Sequence, residues 1–311
     1  MWMSWLQKRL RNRNDEVVFF ENDCLYNNGS SCKACIDLCQ FGAFQIENEK
    51  VMFDSSNCIK CKLCCHCCPR EAIYIKSELI YQYELIINEC DEIRFTCPVN
   101  QNSENDVVVP CLSILSPEMI LIAFNQNKHV EIYFDPTLCK YCKLSWSMKN
   151  SISYLQEFNY IARGRVNIIH EKVRDIQQKK SNFRDLWFKQ DQNSCSTTQV
   201  EQQDNQKKRS YLIEYLKKEG KDQYLSLKMA KALRLTQLNV NEKCILCGYC
   251  VETCPVGALD IIYENKSKIL VFQPINCIGC GICQNSCSNI TLIPETKLSK
   301  ELLQPKILKN E

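Results

Sequence analysis

The sequence is poor in glycine and histidine, with 8 Gly and 3 His among its 311 residues. Neither G-x-G-x-x-G nor G-x-x-x-x-G-K-[ST] occurs, so the usual motifs that hold nucleotide phosphates are absent. No C-x2-C-H motif is present, which excludes covalent attachment of a c-type haem. Apolar runs such as MILIAF at 119–124 are far too short to span a bilayer. The formal charge of +3 is too small to indicate binding to nucleic acid.

Cysteine, in contrast, is abundant, with 24 residues. Such a density indicates either a disulfide scaffold or metal binding. A disulfide scaffold requires an oxidising compartment, and the N-terminal stretch MWMSWLQKRLRNRN lacks the apolar core and cleavage site of a secretory signal. We therefore expect a reducing cytoplasm and thiolates that bind metal.

Most of the cysteines belong to one unit that occurs four times, in two pairs. The second pair, CILCGYCVETCPVGALDI at 244 and CIGCGICQNSCSNITLI at 277, has the spacing C-x2-C-x2-C-x3-C twice. The first pair contains CIKCKLCCHCCPREAI at 58, in which only one frame fits this spacing. Its partner begins at residue 24 and has a longer first gap. The four cysteines of this partner are Cys24, Cys32, Cys35 and Cys39.

The spacing favours iron–sulfur clusters over zinc. C-x2-C-x2-C lets three sulfurs converge on one cluster, and in two-cluster ferredoxins the fourth cysteine ligates the other cluster. Soft thiolates suit both iron–sulfur cores and zinc. Zinc, however, usually takes two C-x2-C pairs or histidine ligands, so a structural zinc array is the alternative.

Both pairs resemble the bacterial ferredoxin with two [4Fe-4S] clusters. The resemblance implies two compact βαββαβ modules with crossed ligation and four clusters in all. The sequence departs from the ferredoxin pattern in two places. The gap after Cys24 is long, and Gln40 stands where the family usually has proline. Four clusters of net charge −2 would change the formal +3 to about −5. The implied ligand sets are Cys24, Cys32, Cys35 and Cys68; Cys58, Cys61, Cys64 and Cys39; Cys244, Cys247, Cys250 and Cys287; and Cys277, Cys280, Cys283 and Cys254.

Between the modules, residues 79–170 alternate strand-like and helical runs, which predicts a small α/β domain with a largely parallel sheet. The predicted fold class is therefore α+β, with two ferredoxin-like βαββαβ modules flanking a small α/β domain and a helical linker. The expected divisions are a basic, aromatic N-terminal segment, the first module, the α/β domain, a polar and helical linker, the second module and a C-terminal tail, at 1–19, 20–78, 79–170, 171–237, 238–294 and 295–311.

The α/β domain carries a candidate additional site. Loops at the carboxyl ends of parallel strands gather at one edge of a sheet, where ligands bind. A cysteine follows each of three candidate strands, and the last of these cysteines is the first residue of a C-x2-C pair. The stretch VVVPCLSILSPEMILIAF is similar to the small iron–sulfur (delta) subunit of methyl-viologen-reducing hydrogenase, which implies a [2Fe-2S] cluster. Another metal centre, a redox dithiol and ordinary thiols are the alternatives. The candidate ligands are Cys97, Cys111, Cys139 and Cys142.

The remaining cysteines are Cys65, Cys67, Cys90 and Cys195. We interpret the two inside the run at 58 as small buried apolar side chains, which could replace Cys24 if it is not a ligand. Cys195 is interpreted as an incidental thiol of the linker, and His66 as a solvent-exposed side chain. The N-terminal segment predicts a short helix that docks on this protein or on a partner, and a short interfacial membrane anchor is the less favoured alternative.

The sequence thus predicts a cytoplasmic electron-transfer protein whose partners are redox proteins and not nucleic acid. One alternative is an electron-transfer or adaptor subunit of a larger oxidoreductase. Another is a thiol–disulfide redox protein that uses Cys139 and Cys142. No Ser/His/Asp pattern indicates a substrate site, so we do not expect the chain to be an enzyme by itself.

Overall fold

The computed structural model describes residues 17–75, 92–97, 107–109, 111–133, 135, 157, 166–169, 207–218 and 222–310. Several predicted features lie outside these residues: the N-terminal segment 1–16, the strand-like run 79–88, the helical run 147–162 apart from Glu157, and most of the polar linker. Four cysteines also lie outside them, namely Cys90, Cys139, Cys142 and Cys195.

Residues 17–75, which we call the N-terminal unit, have the element order β-α-β-β-α-β. The outer strands pair antiparallel, with Val17 opposite Ile75. The inner two form a hairpin whose two-residue turn, Asn48 and Glu49, has φ of 49° and 62°. Left-handed conformation at both turn residues is what a type I′ hairpin requires. The elements are β1 (Val17–Phe19), α1 (Ala34–Leu38), β2 (Phe44–Glu47), β3 (Lys50–Phe53), α2 (Leu63–Cys67) and β4 (Ile73–Ile75).

Residues 236–294, the C-terminal unit, repeat this order. The outer strands again pair antiparallel, with Thr236 opposite Pro294. The inner hairpin turns at Asn265 and Lys266, with φ of 50° and 73°, so the expected NKS turn is confirmed. The elements are β10 (Thr236–Val240), α6 (Tyr249–Glu252), β11 (Leu259–Glu264), β12 (Ser267–Phe272), α7 (Ile282–Ser286) and β13 (Ile290–Pro294).

The residues after 294 extend the packing of the C-terminal unit. Strand β15 (Lys306–Asn310) pairs with β12 and widens the hairpin to three strands. Strand β14 (Lys297–Leu298) pairs with β9 (Gln223–Tyr224). The segment expected to be a tail therefore forms part of the folded structure.

The middle region forms a four-stranded sheet whose strands lie in the order Val107–Val108, Glu92–Thr96, His129–Tyr133 and Val166–Ile169. All of its described pairs are parallel, as the alternation of strands and helices predicts. The crossover helix begins directly after Ser116, at Pro117. Proline suits the first position of a helix. Helices and strands are mixed throughout the described chain, consistent with the α+β class. The elements are β5 (Glu92–Thr96), β6 (Val107–Val108), α3 (Pro117–Asn125), β7 (His129–Tyr133) and β8 (Val166–Ile169).

Helix α4 (Lys207–Lys218) packs against α3 and against the 3-10 helices at 274–276 and 300–303, and its Lys208 Nζ donates to the carbonyl of Cys65 in the N-terminal unit. Its face with Leu212, Tyr215 and Leu216 is buried, in the three- and four-residue spacing of an amphipathic helix. The ring of Tyr215 lies 4.9 Å from that of Phe124 on α3. A second helix, α5 (Leu227–Ala232), follows. Among the described helices, none has the length and apolar character needed to cross a membrane.

Candidate metal centres

The first group of thiols, group one, consists of Cys24, Cys32, Cys35 and Cys68. Burial raises the pKa of Cys35 to about 12, and the thiolates of Cys68, Cys24 and Cys32 add to the effect, so the four sulfurs are close neighbours. Three come from the first repeat and one from the second. This is the set implied by the ferredoxin resemblance, and its role as a ligand set stays a prediction.

The long gap after Cys24 folds into a compact turn. Residues 26–28 form a short 3-10 helix, and Gly29 follows in left-handed conformation with φ of 88°. The side-chain amide of Asn28 donates to the carbonyl of Cys24 at 2.8 Å. The backbone N–H of Ser30 donates to the carbonyl of Leu25 at 2.9 Å. The turn returns the chain so that Cys32 lies near Cys24.

Group two consists of Cys39, Cys58, Cys61 and Cys64. Burial raises the pKa of Cys61 to about 11, with further contributions from the thiolates of Cys64, Cys39 and Cys58. All four thiols line a single pocket. The other walls of this pocket are largely apolar and include Leu38, Phe41 and Phe44.

The C-terminal unit contains two further groups. In group three, burial and then the thiolates of Cys244, Cys287 and Cys247 raise the pKa of Cys250 to about 11. In group four, burial and then the thiolates of Cys277, Cys280 and Cys254 raise the pKa of Cys283 to about 12. Each group again takes three thiols from one repeat and the fourth from the other.

Three of the four cysteine loops share one backbone conformation. The second and fourth residues after the first cysteine have positive φ in each: Lys60 and Lys62 at 58° and 68°, Leu246 and Gly248 at 52° and 82°, and Gly279 and Gly281 at 64° and 78°. These left-handed residues turn backbone N–H groups towards sulfur. The N–H of Lys60 donates to Cys58 Sγ, and that of Gly279 to Cys277 Sγ, both at 3.4 Å.

The two Cys-Pro corners also match. The N–H of Ala72 donates to Cys68 Sγ at 3.2 Å, and the N–H of Ala258 donates to Cys254 Sγ at the same distance. In both corners the donor lies four residues after the cysteine. The equivalence of CPREAI and CPVGAL, expected from the sequence, is therefore also structural.

The two extra cysteines in the run at 58 differ from the grouped ones. Cys65 is buried, and the thiol of Cys67 donates to the carbonyl of Cys64 at 3.3 Å and packs against the core. Both side chains thus have a packing role, in agreement with their interpretation as small apolar side chains.

The prediction that His66 is solvent-exposed is wrong. Its side chain is buried, and within the described part of the chain both ring nitrogens have no hydrogen-bond partner. Burial lowers the pKa of His66 well below its usual value, and the positive charge of Lys208 acts in the same direction. The cause is long-range packing, because α2 packs against the 3-10 helix at 112–114.

The middle sheet brings two of its four candidate cysteines together. Cys97 follows β5 and Cys111 follows β6, and these strands are neighbours that run parallel. Both side chains are buried, and the thiol of Cys111 donates to Ser113 Oγ at 3.4 Å. The other two candidates, Cys139 and Cys142, lie outside the described residues.

The donor set fits iron–sulfur chemistry. The described cysteines form no disulfide bonds. Four thiols in each group equal the ligand number of a [4Fe-4S] cluster. Across residues 17–310, as far as they are described, no three His, Cys, Asp or Glu side chains are placed to hold a single metal ion.

Comparison with known proteins defines the class of the C-terminal region. Residues 243–289 match the family model of the 4Fe-4S dicluster domain. This range contains groups three and four, so binding of [4Fe-4S] clusters by this region is supported.

Among curated proteins, the chain is similar to a ferredoxin of Rickettsia felis, with 40% identity over 67 residues, or 21% of this chain and 55% of the relative. It is also similar to ferredoxin-1 of Caulobacter vibrioides, with 38% identity over 60 residues, or 19% of this chain and 50% of the relative. The chain thus spans about half the length of these relatives. No solved structure matches it with significance.

Proposed function

We propose that the chain is an electron-transfer protein that carries four [4Fe-4S] clusters, one in each thiol group. The observation that supports this is the grouping itself. Each group draws three cysteines from one repeat and the fourth from its partner repeat, in both units, which is the crossed ligation of two-cluster ferredoxins. A bound cluster supplies one-electron redox chemistry.

The chain's own contribution is to bury the sulfurs and to direct N–H groups at them. Hydrogen bonds to sulfur and exclusion of solvent both tune the reduction potential of a cluster. The donors at Cys58 and Cys277 occupy matching positions in the two units, at the first cysteine of the second repeat. Those at Cys68 and Cys254 lie at the two Cys-Pro corners, in the second repeat of one unit and the first repeat of the other. We infer that the two units provide comparable environments for their clusters. Differences in nearby charges would then give the clusters different reduction potentials.

Anaerobic iron and acid-labile sulfide analysis of the purified protein tests this function. Four clusters give about 16 iron and 16 sulfide per chain, together with low-temperature electron paramagnetic resonance signals on reduction. About 8 of each would mean that only two of the four groups hold a cluster. Stoichiometric zinc without sulfide would support the structural zinc array instead.

A fifth centre in the middle sheet is a second proposal. Its support is the burial of Cys97 and Cys111 after adjacent parallel strands, together with the resemblance to the hydrogenase small subunit. A Cys97→Ser/Cys111→Ser double variant is expected to contain about two iron fewer than the wild type if the centre is [2Fe-2S]. Unchanged iron would leave these thiols as buried apolar groups or as a redox dithiol.

We further propose that the chain acts in the cytoplasm with redox partner proteins, as a carrier or as a subunit of a larger oxidoreductase. Cys247 of group three is exposed, and the neighbouring side chains of Ile245 and Tyr249 are 81% and 53% exposed. Exposed apolar side chains beside a redox site suit transient docking. A stoichiometric partner that co-purifies would favour the subunit, whereas exchange with soluble carriers only would favour the carrier.

A further inference from the structure

The two cysteine-rich units meet at Cys32 and Cys280. The hydroxyl of Ser30 donates to the carbonyl of Cys280 at 2.5 Å, across 250 residues of sequence. The same oxygen accepts the backbone N–H of Cys32 at 3.2 Å. One serine side chain thus connects the backbone beside a thiol of group one to the backbone beside a thiol of group four.

The contact between the units has its own apolar core. Leu25 of the N-terminal unit packs with Ile278 and Ile282 of the C-terminal unit, and all three are buried. Cys32 and Cys280 pack against this cluster.

Two arginines hold the same region from the side. Arg209 of α4 donates to the carbonyl of Cys277 at 2.8 Å, in group four. Arg234 donates to the carbonyl of Cys67 at 3.1 Å, next to Cys68 of group one. The contact is therefore fixed by hydrogen bonds, apolar packing and positive charge together.

We propose that the contact between Cys32 and Cys280 is where electrons cross between the two units, and that Ser30 is its positioning residue. This inference rests on the proposed four-cluster function. One electron leaves the iron–sulfur group bound by group one, which is oxidised, and arrives at that of group four, which is reduced. The direction follows the potentials, no covalent bond changes, and the electron comes from a low-potential one-electron donor.

This junction arranges the four groups in series. Groups one and two lie side by side in the N-terminal unit, since α1 and α2, which carry Cys35 and Cys64, pack against each other. In the C-terminal unit α6 and α7, which carry Cys250 and Cys283, pack against each other. The order is group two, group one, group four and group three, so the ends of the series are the pocket of group two and the exposed Cys247.

The test compares Ser30→Ala and Ser30→Asp with Ser31→Ala, which alters the exposed neighbouring serine. In each full-length protein, iron and sulfide are counted first. Dithionite-reduced samples are then examined by electron paramagnetic resonance for spin–spin interaction, and internal electron redistribution is timed after a one-electron flash reduction. Iron and sulfide contents report on the proposed function, whereas interaction and rate report on the junction.

We expect Ser30→Ala to keep its clusters and to slow electron redistribution between the units about fivefold. The reason is that the loss of one hydrogen bond weakens the contact that holds Cys32 and Cys280 together. Ser30→Asp, which places a carboxylate beside a carbonyl oxygen, slows it further and weakens the spin–spin interaction, and Ser31→Ala matches the wild type. Wild-type rates and spectra in both Ser30 variants overturn the junction while leaving the clusters in place. If Ser30→Asp does not retain iron, Ser30→Ala decides. A wild-type protein without clusters overturns the proposed function itself.

Discussion

The guanidinium of Arg209 donates a 2.8 Å hydrogen bond to the backbone carbonyl of Cys277. Its Nη1 donates to the carbonyl of Leu233 at 3.0 Å, and its Nη2 also donates to that of Arg234 at 3.4 Å. Burial lowers the pKa of Arg209 to about 10, so the group is still charged at neutral pH. The preceding residue does the same for the N-terminal unit, because Lys208 Nζ donates to the carbonyl of Cys65 at 2.8 Å. The start of α4 thus connects both units through two buried cations.

Substitution Arg209→Leu should destabilise the protein strongly. It leaves the carbonyls of Leu233 and Cys277 without their charged donor, and buried carbonyls that lose such a partner cost about 3 kcal/mol in total. The measurement is the anaerobic urea midpoint of the cluster-loaded protein. Lys217→Leu, on the exposed side of the same helix, is the control and should shift it little. Equal effects of the two substitutions would contradict a structural role for the buried arginine.

Cys24→Ala should remove one cluster, whereas Cys65→Ala should not. Cys24 is buried beside the other thiols of group one, despite the long gap that follows it. Loss of one of four thiolates leaves a cluster incompletely ligated, so we expect about four iron fewer per chain. Cys65→Ala removes a buried thiol of similar size from the neighbouring helix and serves as the matched control. An undiminished iron content in Cys24→Ala would assign the fourth ligand to another cysteine.

The local features of the fold could be predicted from the sequence, and the contacts between distant segments could not. Both hairpins follow from alternating apolar residues around turns that contain Asn48 and Asn265, which tolerate positive φ. The repeat spacing likewise predicts which thiols approach each other. The burial of His66 depends instead on residues far along the chain, among them Lys208, which donates to its carbonyl at 3.4 Å. No local pattern reports such a neighbour.

The role of α4 could not be predicted from the sequence for the same reason. Its apolar spacing predicts a helix, but the sequence places it in a polar linker. Lys208 and Arg209 are buried, but they occur in a run of basic residues that predicts solvent-exposed side chains. The only local indication is the stripe of Leu212, Tyr215 and Leu216, which shows that one face is covered without identifying what covers it.

Lys60→Gly should stabilise the cluster-loaded protein. Lys60 has φ of 58°, and the equivalent position in the last repeat is Gly279, with φ of 64°. A non-glycine residue in this conformation costs about 1 kcal/mol, which glycine avoids. The thermal midpoint, measured without oxygen, should therefore rise. Lys33→Gly is the control, since Lys33 has φ of −125° and glycine brings no relief there. A lower midpoint for Lys60→Gly would mean that the lysine side chain contributes more than its backbone strain costs.

Oxygen should destroy the site at group three before the site at group four. Cys247 is exposed, whereas Cys277 and Cys283 are each 8% exposed. Oxidants reach an accessible thiolate and its cluster first. After brief exposure to air, thiols released from damaged clusters can be alkylated with iodoacetamide and located by mass spectrometry. We expect labelling of Cys247 and Cys244 to precede that of Cys277 and Cys283 by several-fold in time. Simultaneous labelling of both groups would show that the whole unit opens before oxidation, so that burial in the folded state does not control access.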